Sequence, residues 1–383
     1  MNKLKEYVDR SYSVVTNKRN LEHLYTFKNF PVFFGCTNKS SNEDIVADMV
    51  WEIDPESGMI QLSKLIPLDL LYMEQHLNPL GKTWNEYNEA FSEFVINESK
   101  SDIIEIGSGN GMIANLLLEK NPNLNLTCVE PNPTFKEKSR LKIIKSFFTS
   151  NFKEKLDTNS TIIFSQLYEH IYDPQEFLDQ ISFFLPIGGK MVFAYPQLEH
   201  WFKNKFTNAI NFEHMMLMTD YYVDFFLENS GFIIKEKISY KNHSHFYVVE
   251  KVQDPLANRG FIKENRYSFY KEMFQDFIKH HTDMVKKINA KTQKSESPLF
   301  LFGGHIFSQF LIQFGLQVDK IINILDNSPI KQNKRLYGTN LEVVSPQILR
   351  NYDNPTVILK AGVYNEEIKK DILENINPNT AFI

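Results

Sequence analysis

The chain changes its hydrophobic rhythm three times. Residues Ile45 to Ile53 and Met59 to Leu62 are apolar, β-prone runs on either side of Asp54-Pro55-Glu56-Ser57-Gly58, a pattern that predicts a hairpin. From residue 101 the pattern becomes short buried strands alternating with helices: strand Ser101 to Ile106, helix Gly111 to Glu119, strand Asn125 to Val129, strand Thr161 to Ser165, helix Pro174 to Leu185, and strand Gly189 to Tyr195. That order predicts a mostly parallel sheet with helices on both faces. Tyr270, Met273, Phe274, Phe277, Ile278, Met284, Val285 and Ile288 then follow the three-four spacing of one amphipathic helix, which the polar stretch Lys291 to Glu296 closes. The α/β alternation restarts with strand Leu299 to Phe302, Gly303-Gly304, a helix to Phe314, and strands Ile321 to Leu325 and Thr356 to Lys360. Four regions result: a hairpin and helical region 1–80, a first α/β domain 81–252, a helical linker 253–297 and a second, smaller α/β domain 298–383.

Composition narrows the class. The 383 residues carry 42 Lys and Arg against 47 Asp and Glu, net charge −5, with the signs interleaved, so no basic block points to nucleic acid. Cys36 and Cys128 are the two cysteines, too few for a disulfide framework and in keeping with a reducing compartment. No apolar run is long enough to span a bilayer and the N-terminus lacks a secretory pattern, so a cytoplasmic protein is expected. Aromatic residues reach 14%, and 32 of them are Phe. Phe147, Phe148, Phe183 and Phe184 read as packing, whereas Trp84, Tyr87, Tyr168, Tyr195 and Phe212 lie beside the segments that carry chemistry and are candidates for stacking.

The first of those segments is Ile103-Ile104-Glu105-Ile106-Gly107-Ser108-Gly109-Asn110-Gly111, a strand running into a glycine turn that opens a helix. Glycines let a ligand approach the backbone, and the helix N-terminus offers N–H groups to it. The next strand ends in Glu130-Pro131, about twenty residues on, where this kind of fold places an acid for ribose hydroxyls. Glu-x-Gly-x-Gly-x-Gly resembles the first motif of class I S-adenosylmethionine-dependent methyltransferases more than a dinucleotide loop. The resemblance places Glu105, Gly107, Ser108, Gly109 and Gly111 around the methionine end of that cofactor and Glu130 and Pro131 at its ribose. Gln166, in Ser165-Gln166-Leu167-Tyr168-Glu169-His170, and the turn Leu185-Pro186-Ile187-Gly188-Gly189-Lys190 are further matches.

Farther along, Asn211-Phe212-Glu213-His214 precedes a helix from Asp220 to Asn229. With Asp326-Asn327-Ser328-Pro329-Ile330-Lys331-Gln332 and Tyr364-Asn365-Glu366-Glu367-Ile368, this segment makes the chain similar to the sugar C-methyltransferase family over nearly its whole length. The resemblance implies a class I methyltransferase Rossmann-like domain, a second C-terminal Rossmann-like domain, and a nucleotide-activated hexose or heptose as substrate, in surface-polysaccharide (capsule) or related glycan synthesis. It also implies His214 as the general base. Glu213 stands beside His214, and His170, after the fourth strand, is the second candidate base.

The chain departs from the family in three places, one of them the usual Tyr-Phe-Ser segment, which is Leu217-Met218-Thr219 here. The family's four-cysteine zinc ribbon is absent, since Cys36 has no neighbouring cysteine, and the usual tyrosine three positions before the histidine is Asn211. O-methylation is therefore favoured slightly over C-methylation on a keto-deoxysugar, and a non-catalytic cofactor-fold binding protein is the reading from another class. His76, Asn78, Lys82, Trp84 and Tyr87, from the segment that closes the site in the family, join Tyr195, Asn211, His243 and His245 as acceptor contacts. His243 and His245, two apart and on one side of a strand, have no carboxylate or cysteine at ligand spacing, so no metal is expected. Phe302-Gly303-Gly304-His305 and the cations Lys331, Lys334 and Arg335 are candidates for the sugar's diphosphate. The reading expects neither a nucleic-acid nor a membrane partner and leaves room for a homodimer.

Overall fold

The computed structural model describes residues 1–72, 82–99, 102–255 and 260–383. In the N-terminal part, strands β1 (Glu22–Pro31), β2 (Ile45–Ile53) and β3 (Ile60–Leu62) pair antiparallel in the order β1-β2-β3. The hairpin between β2 and β3 is the one expected from its turn cluster. Asp54 explains its shape: the buried carboxylate accepts from Ser13 Oγ (2.6 Å), Ser57 Oγ (2.7 Å) and Thr16 Oγ1 (2.9 Å). Gly58 closes the turn at φ +83°, where a Cβ would lie 2.5 Å from the backbone of Arg266.

The central part opens with helix α1 (Lys82–Glu98) and continues through β4 (Ile103–Ile106), α2 (Met112–Lys120), β5 (Leu126–Val129), β6 (Leu141–Ile144), β7 (Thr161–Ser165), α3 (Pro174–Phe184), β8 (Lys190–Pro196), α4 (Leu198–Lys203), α5 (Asp220–Asn229), β9 (Phe232–Tyr240) and β10 (Ser244–Lys251). The strands form one sheet in the order β6-β5-β4-β7-β8-β10-β9. β6, β5, β4, β7 and β8 are parallel, and β10 runs antiparallel to both β8 and β9. Helices cover both faces, so β4 is buried along its whole length, which is why it reads as an unbroken apolar run apart from Glu105. Chain order reverses between β4 and β7, and the crevice at their carboxyl ends is where such sheets bind ligands.

Helix α6 (Tyr267–Gln293) is about 40 Å long at 1.5 Å per residue. Its first half packs on the rest of the core, with Phe277 stacked on Phe202 at 4.4 Å between ring centroids, and Val285 and Ile288 join the core of the C-terminal part. That part comprises β11 (Leu299–Phe302), α7 (Ile306–Gln313), β12 (Ile321–Leu325), β13 (Lys334–Leu336), β14 (Glu342–Val344), β15 (Thr356–Leu359) and β16 (Ala381–Phe382). Its sheet has the order β16-β15-β11-β12-β14-β13 and is completed at the edge by Cys36–Thr37 from the N-terminal region. Both sheets are thus Rossmann-like, as the alternation predicts. The N-terminal region is tied to the second of them: the Arg335 guanidinium grips the fully buried Asp44 carboxylate through two hydrogen bonds of 2.6 and 2.7 Å.

One packing expectation fails. Phe147 follows β6 in a surface loop and is 60% exposed, because its neighbour Phe148 takes the inward place against Phe184. Among the described residues no helix is long and apolar enough to cross a membrane.

Candidate functional site

The glycine loop leaves β4 at the switch point. Gly107, Gly109 and Gly111 have φ of +72°, +50° and +72°. A Cβ on Gly111 would strike the Phe135 ring at 2.6 Å, whereas a Cβ on Gly109 would meet nothing within 4 Å, so the loop is tight at its root and open at its tip. Glu130 closes the crevice: its carboxylate accepts from the Gly109 N–H (3.0 Å) and the Asn132 N–H (2.9 Å), with Pro131 half-buried between them. Ser108 is buried beneath the loop. Glu105 points beneath it and receives the Cys128 thiol at 3.5 Å. Burial pushes the Glu105 carboxyl up to about 7, the Cys128 hydrogen bond opposes this, and the Glu130 charge reinforces it. An open glycine tip beside a carboxylate suits a nucleoside cofactor whose ribose hydroxyls need an acceptor.

Gln166 follows β7 at φ +50°, and its amide donates to Tyr87 Oη (3.0 Å) and Ser244 Oγ (2.8 Å). Tyr87 is buried and also meets Ser165 Oγ at 2.6 Å, so it positions Gln166 rather than lining an open wall. Trp84 packs edge-on against Tyr87 and His243.

Two Glu-His pairs meet beyond the carboxyl end of β7. Glu169-His170 sits in a short turn after that strand, and Glu213-His214 approaches from the segment before α5. His170 Nδ1 lies 3.8 Å from Glu213 Oε2, His170 Nε2 lies 3.8 Å from Glu169 Oε1, and the His170 and His214 rings are 5.0 Å apart. His214 Nδ1 is 2.8 Å from the Asn208 carbonyl, which can only accept; Nδ1 therefore carries the hydrogen and Nε2 is left as the basic nitrogen. Burial pushes the His214 pKa down, while Glu213 and the Asn208 carbonyl oppose the shift. Burial likewise pushes the Glu169 carboxyl up to about 8, against its own backbone N–H and with the help of Glu213.

The acceptor segment is held by the N-terminal sheet. Leu62 N–H donates to the Met215 carbonyl and Leu217 N–H to the Ile60 carbonyl, both at 2.8 Å, so the residues after His214 continue that sheet. Arg10, 2% exposed, donates to the Leu62 carbonyl through Nε (3.0 Å) and to the Met215 carbonyl through Nη2 (3.0 Å). His305, at the N-terminus of α7, is near enough to Glu213 for that charge to act on it. Solvent reaches it, yet the surrounding protein pushes its pKa down to about 4; Lys331 adds to the shift, and Asp326 and Glu213 oppose it.

Several expected contacts are corrected. Asn211 is buried and its side-chain oxygen accepts from the Glu213 and His214 N–H groups, so it shapes the loop instead of meeting an acceptor. Tyr168 and Phe212 are core residues, the first donating to the Pro174 carbonyl and the second packed on Phe30. Tyr195 is fully buried, because both faces of β8 are covered. His243 precedes β10 and packs among Trp84, Tyr87 and Trp201, whereas His245 lies within the strand and meets Ser239 Oγ at 3.1 Å; the two do not form a pair. His76 and Asn78 lie outside the described residues, as does the side chain of Lys82, whose backbone begins α1.

Glu169, Asn208, Arg10 and Tyr72 are the site residues that sequence reasoning passed over. Tyr72 stands where Glu213, Glu169 and Glu130 all act on it, which links the cofactor crevice to the Glu-His pairs. The Glu-His dipeptide occurs four times, at Glu22-His23, Glu169-His170, Glu199-His200 and Glu213-His214, so nothing local marks Glu169, nor Asn208, Arg10 or Tyr72.

Residues 81–237 match the family model described as a methyltransferase domain. No curated protein matches the chain. Among solved structures, an O-methyltransferase family protein from Burkholderia thailandensis aligns over 45% of this chain and 57% of its own, at 11% identity and a TM-score of 0.35. The N-methyltransferase NodS from Bradyrhizobium japonicum aligns over 44% of this chain and 97% of its own, at 15% identity and 0.33. Human N-acetylserotonin methyltransferase, solved in complex with S-adenosylmethionine, aligns over 45% and 53%, at 14% identity and 0.36. These likenesses are too low to bear on the substrate. What the family match and the glycine crevice establish together is that residues 81–237 form a methyltransferase domain whose cofactor is S-adenosylmethionine.

Proposed function

We propose that the protein transfers a methyl group from S-adenosylmethionine to a hydroxyl of a nucleotide-activated hexose or heptose, within surface-polysaccharide or related glycan synthesis in the cytoplasm. One observation carries the reading: two Glu-His pairs converge beyond the carboxyl end of β7, where the Glu213 charge also acts on His305 of the C-terminal part. S-adenosylmethionine, bound along the crevice, supplies a sulfonium methyl that is electrophilic without further activation. The chain has to hold the acceptor oxygen in line and remove its proton. His214 is set up for the second task, since its Nδ1 hydrogen is committed to Asn208 and burial pushes its pKa down, which favours the neutral ring. His214 Nε2 would take the hydroxyl proton as the methyl group passes to the acceptor oxygen. His305 and Lys331 offer donors for a diphosphate, and Lys331 is already paired to Asp326 at 3.0 Å. Arg335 is withdrawn from that role by its bond to Asp44.

The test is to incubate the protein with methyl-labelled cofactor and a panel of nucleotide sugars, then locate the label by mass spectrometry and carbon NMR. An O-methyl signal supports the reading. Label on ring carbon replaces it with C-methylation, and label on no nucleotide sugar rejects the substrate class.

A further inference from the structure

The two Glu-His pairs have a second property. One ligand atom from each of Glu169, His170 and His214 lies within 4.8 Å of the other two. Glu169 is 1% exposed, and its Oε2 has no hydrogen-bond partner among the described residues. A buried carboxylate oxygen without a donor is costly, and a cation would satisfy it. The Asn208 carbonyl engages His214 Nδ1 as an outer-shell acceptor engages a ligating imidazole, which leaves Nε2 free to ligate. Two imidazoles and one carboxylate are the donor set of open, catalytic zinc sites. Tetrahedral coordination at about 2.1 Å brings donors to roughly 3.4 Å from one another, so the cluster, whose donors lie within 4.8 Å, has to contract by up to about 1.4 Å through side-chain torsions.

We propose that Glu169, His170 and His214 bind one divalent transition-metal ion of the zinc class, leaving a coordination position open to the acceptor hydroxyl. The proposal rests on this cluster lying at the acceptor site. With the ion in place, His214 Nε2 is a ligand instead of the proton acceptor. The bound hydroxyl would be acidified and give its proton to Glu213, and its oxygen would form the O–CH3 bond as the S–CH3 bond breaks, the thioether leaving neutral, with no change in oxidation state. The cluster is separate from the missing cysteine ribbon and from His243 and His245, on which the expectation of no metal rests.

The experiment uses the full chain, stripped by chelation and titrated with Zn2+ and with Co2+ in the absence of cofactor and acceptor. One equivalent bound at micromolar or tighter affinity, with the visible absorption of four- or five-coordinate Co2+, supports the site. Glu169→Gln and His170→Ala should each weaken binding at least tenfold while binding S-adenosylmethionine like the parent, which controls for folding. His23→Ala, on the exposed face of β1, should bind metal unchanged. Substoichiometric binding, or equal binding by the parent, Glu169→Gln and His170→Ala, overturns the site. Full methyl transfer by the stripped protein overturns the ion's part in the reaction and leaves His214 as the base. Metal binding without transfer to any nucleotide sugar supports the site and rejects the substrate reading instead.

Discussion

Glu105 gives a prediction whose sign and size both come from its burial. The side chain is 2% exposed at the end of β4, with Cys128 as its donor and Glu130 as a nearby like charge. Its ordinary carboxyl value is 4.5, and in the folded chain burial pushes it up to about 7. Between those two pH values the native state keeps a proton that the unfolded chain has lost. Stability then falls as pH rises through this window and levels off above about 7. The shift corresponds to about 3 kcal/mol at 1.36 kcal/mol per unit. In Glu105→Gln the amide cannot ionise and its oxygen still accepts from Cys128. The variant should match the parent near pH 5 and exceed it at pH 8, by about 5–10 °C in the melting temperature of a domain this size. Thermal denaturation of both proteins without cofactor, at pH 5, 6, 7 and 8, measures the gap. A gap that stays constant across those four values would refute a buried, proton-holding Glu105.

The rest of the site yields further expectations. His214→Ala should lower kcat by two or more orders of magnitude while calorimetry finds S-adenosylmethionine affinity unchanged, since the imidazole faces the acceptor side. Glu130→Ala should weaken cofactor binding at least tenfold, about 1.4 kcal/mol, because the carboxylate at the glycine tip is lost. Arg10→Met should cost about 3 kcal/mol in urea denaturation by leaving the Leu62 and Met215 carbonyls without their charged donor, and should reduce kcat more than cofactor affinity. Gly111→Val should abolish cofactor binding in an equilibrium titration, since φ +72° and the Phe135 ring both exclude a branched side chain.

The central sheet was legible because each of its buried parallel strands is a short apolar run with its own turn, and such runs need no distant partner to be recognised. Strands β1, β6, β9, β13 and β14 were not read, having neither a clean alternation nor an apolar run; β9, for example, is mostly exposed along its length. The cofactor crevice was legible for a related reason, since Glu105, Gly107, Gly109, Gly111 and Glu130 lie within 26 residues and their roles follow from one strand-turn-helix unit. The acceptor side was harder. Asn211 occupies the place of a substrate contact in the linear pattern, yet its side chain is spent on capping two backbone N–H groups, a choice set by the path of the loop.

By itself the sequence determined the α/β class, the glycine turn with its acidic partner, and the pair Glu213-His214, because each depends on residues close together in the chain. Tertiary structure alone decided that Met216 would bridge to Gln61, that Arg10 would hold Met215, and that Glu169-His170 would face Glu213-His214, with His305 within reach of the Glu213 charge. The proton affinities of Glu105, Glu169 and His214 were decided there too. Desolvation and through-space charge depend on what surrounds a group in three dimensions, and residues distant in the chain supply those surroundings, Glu213 for Glu169 and Glu130 for Glu105.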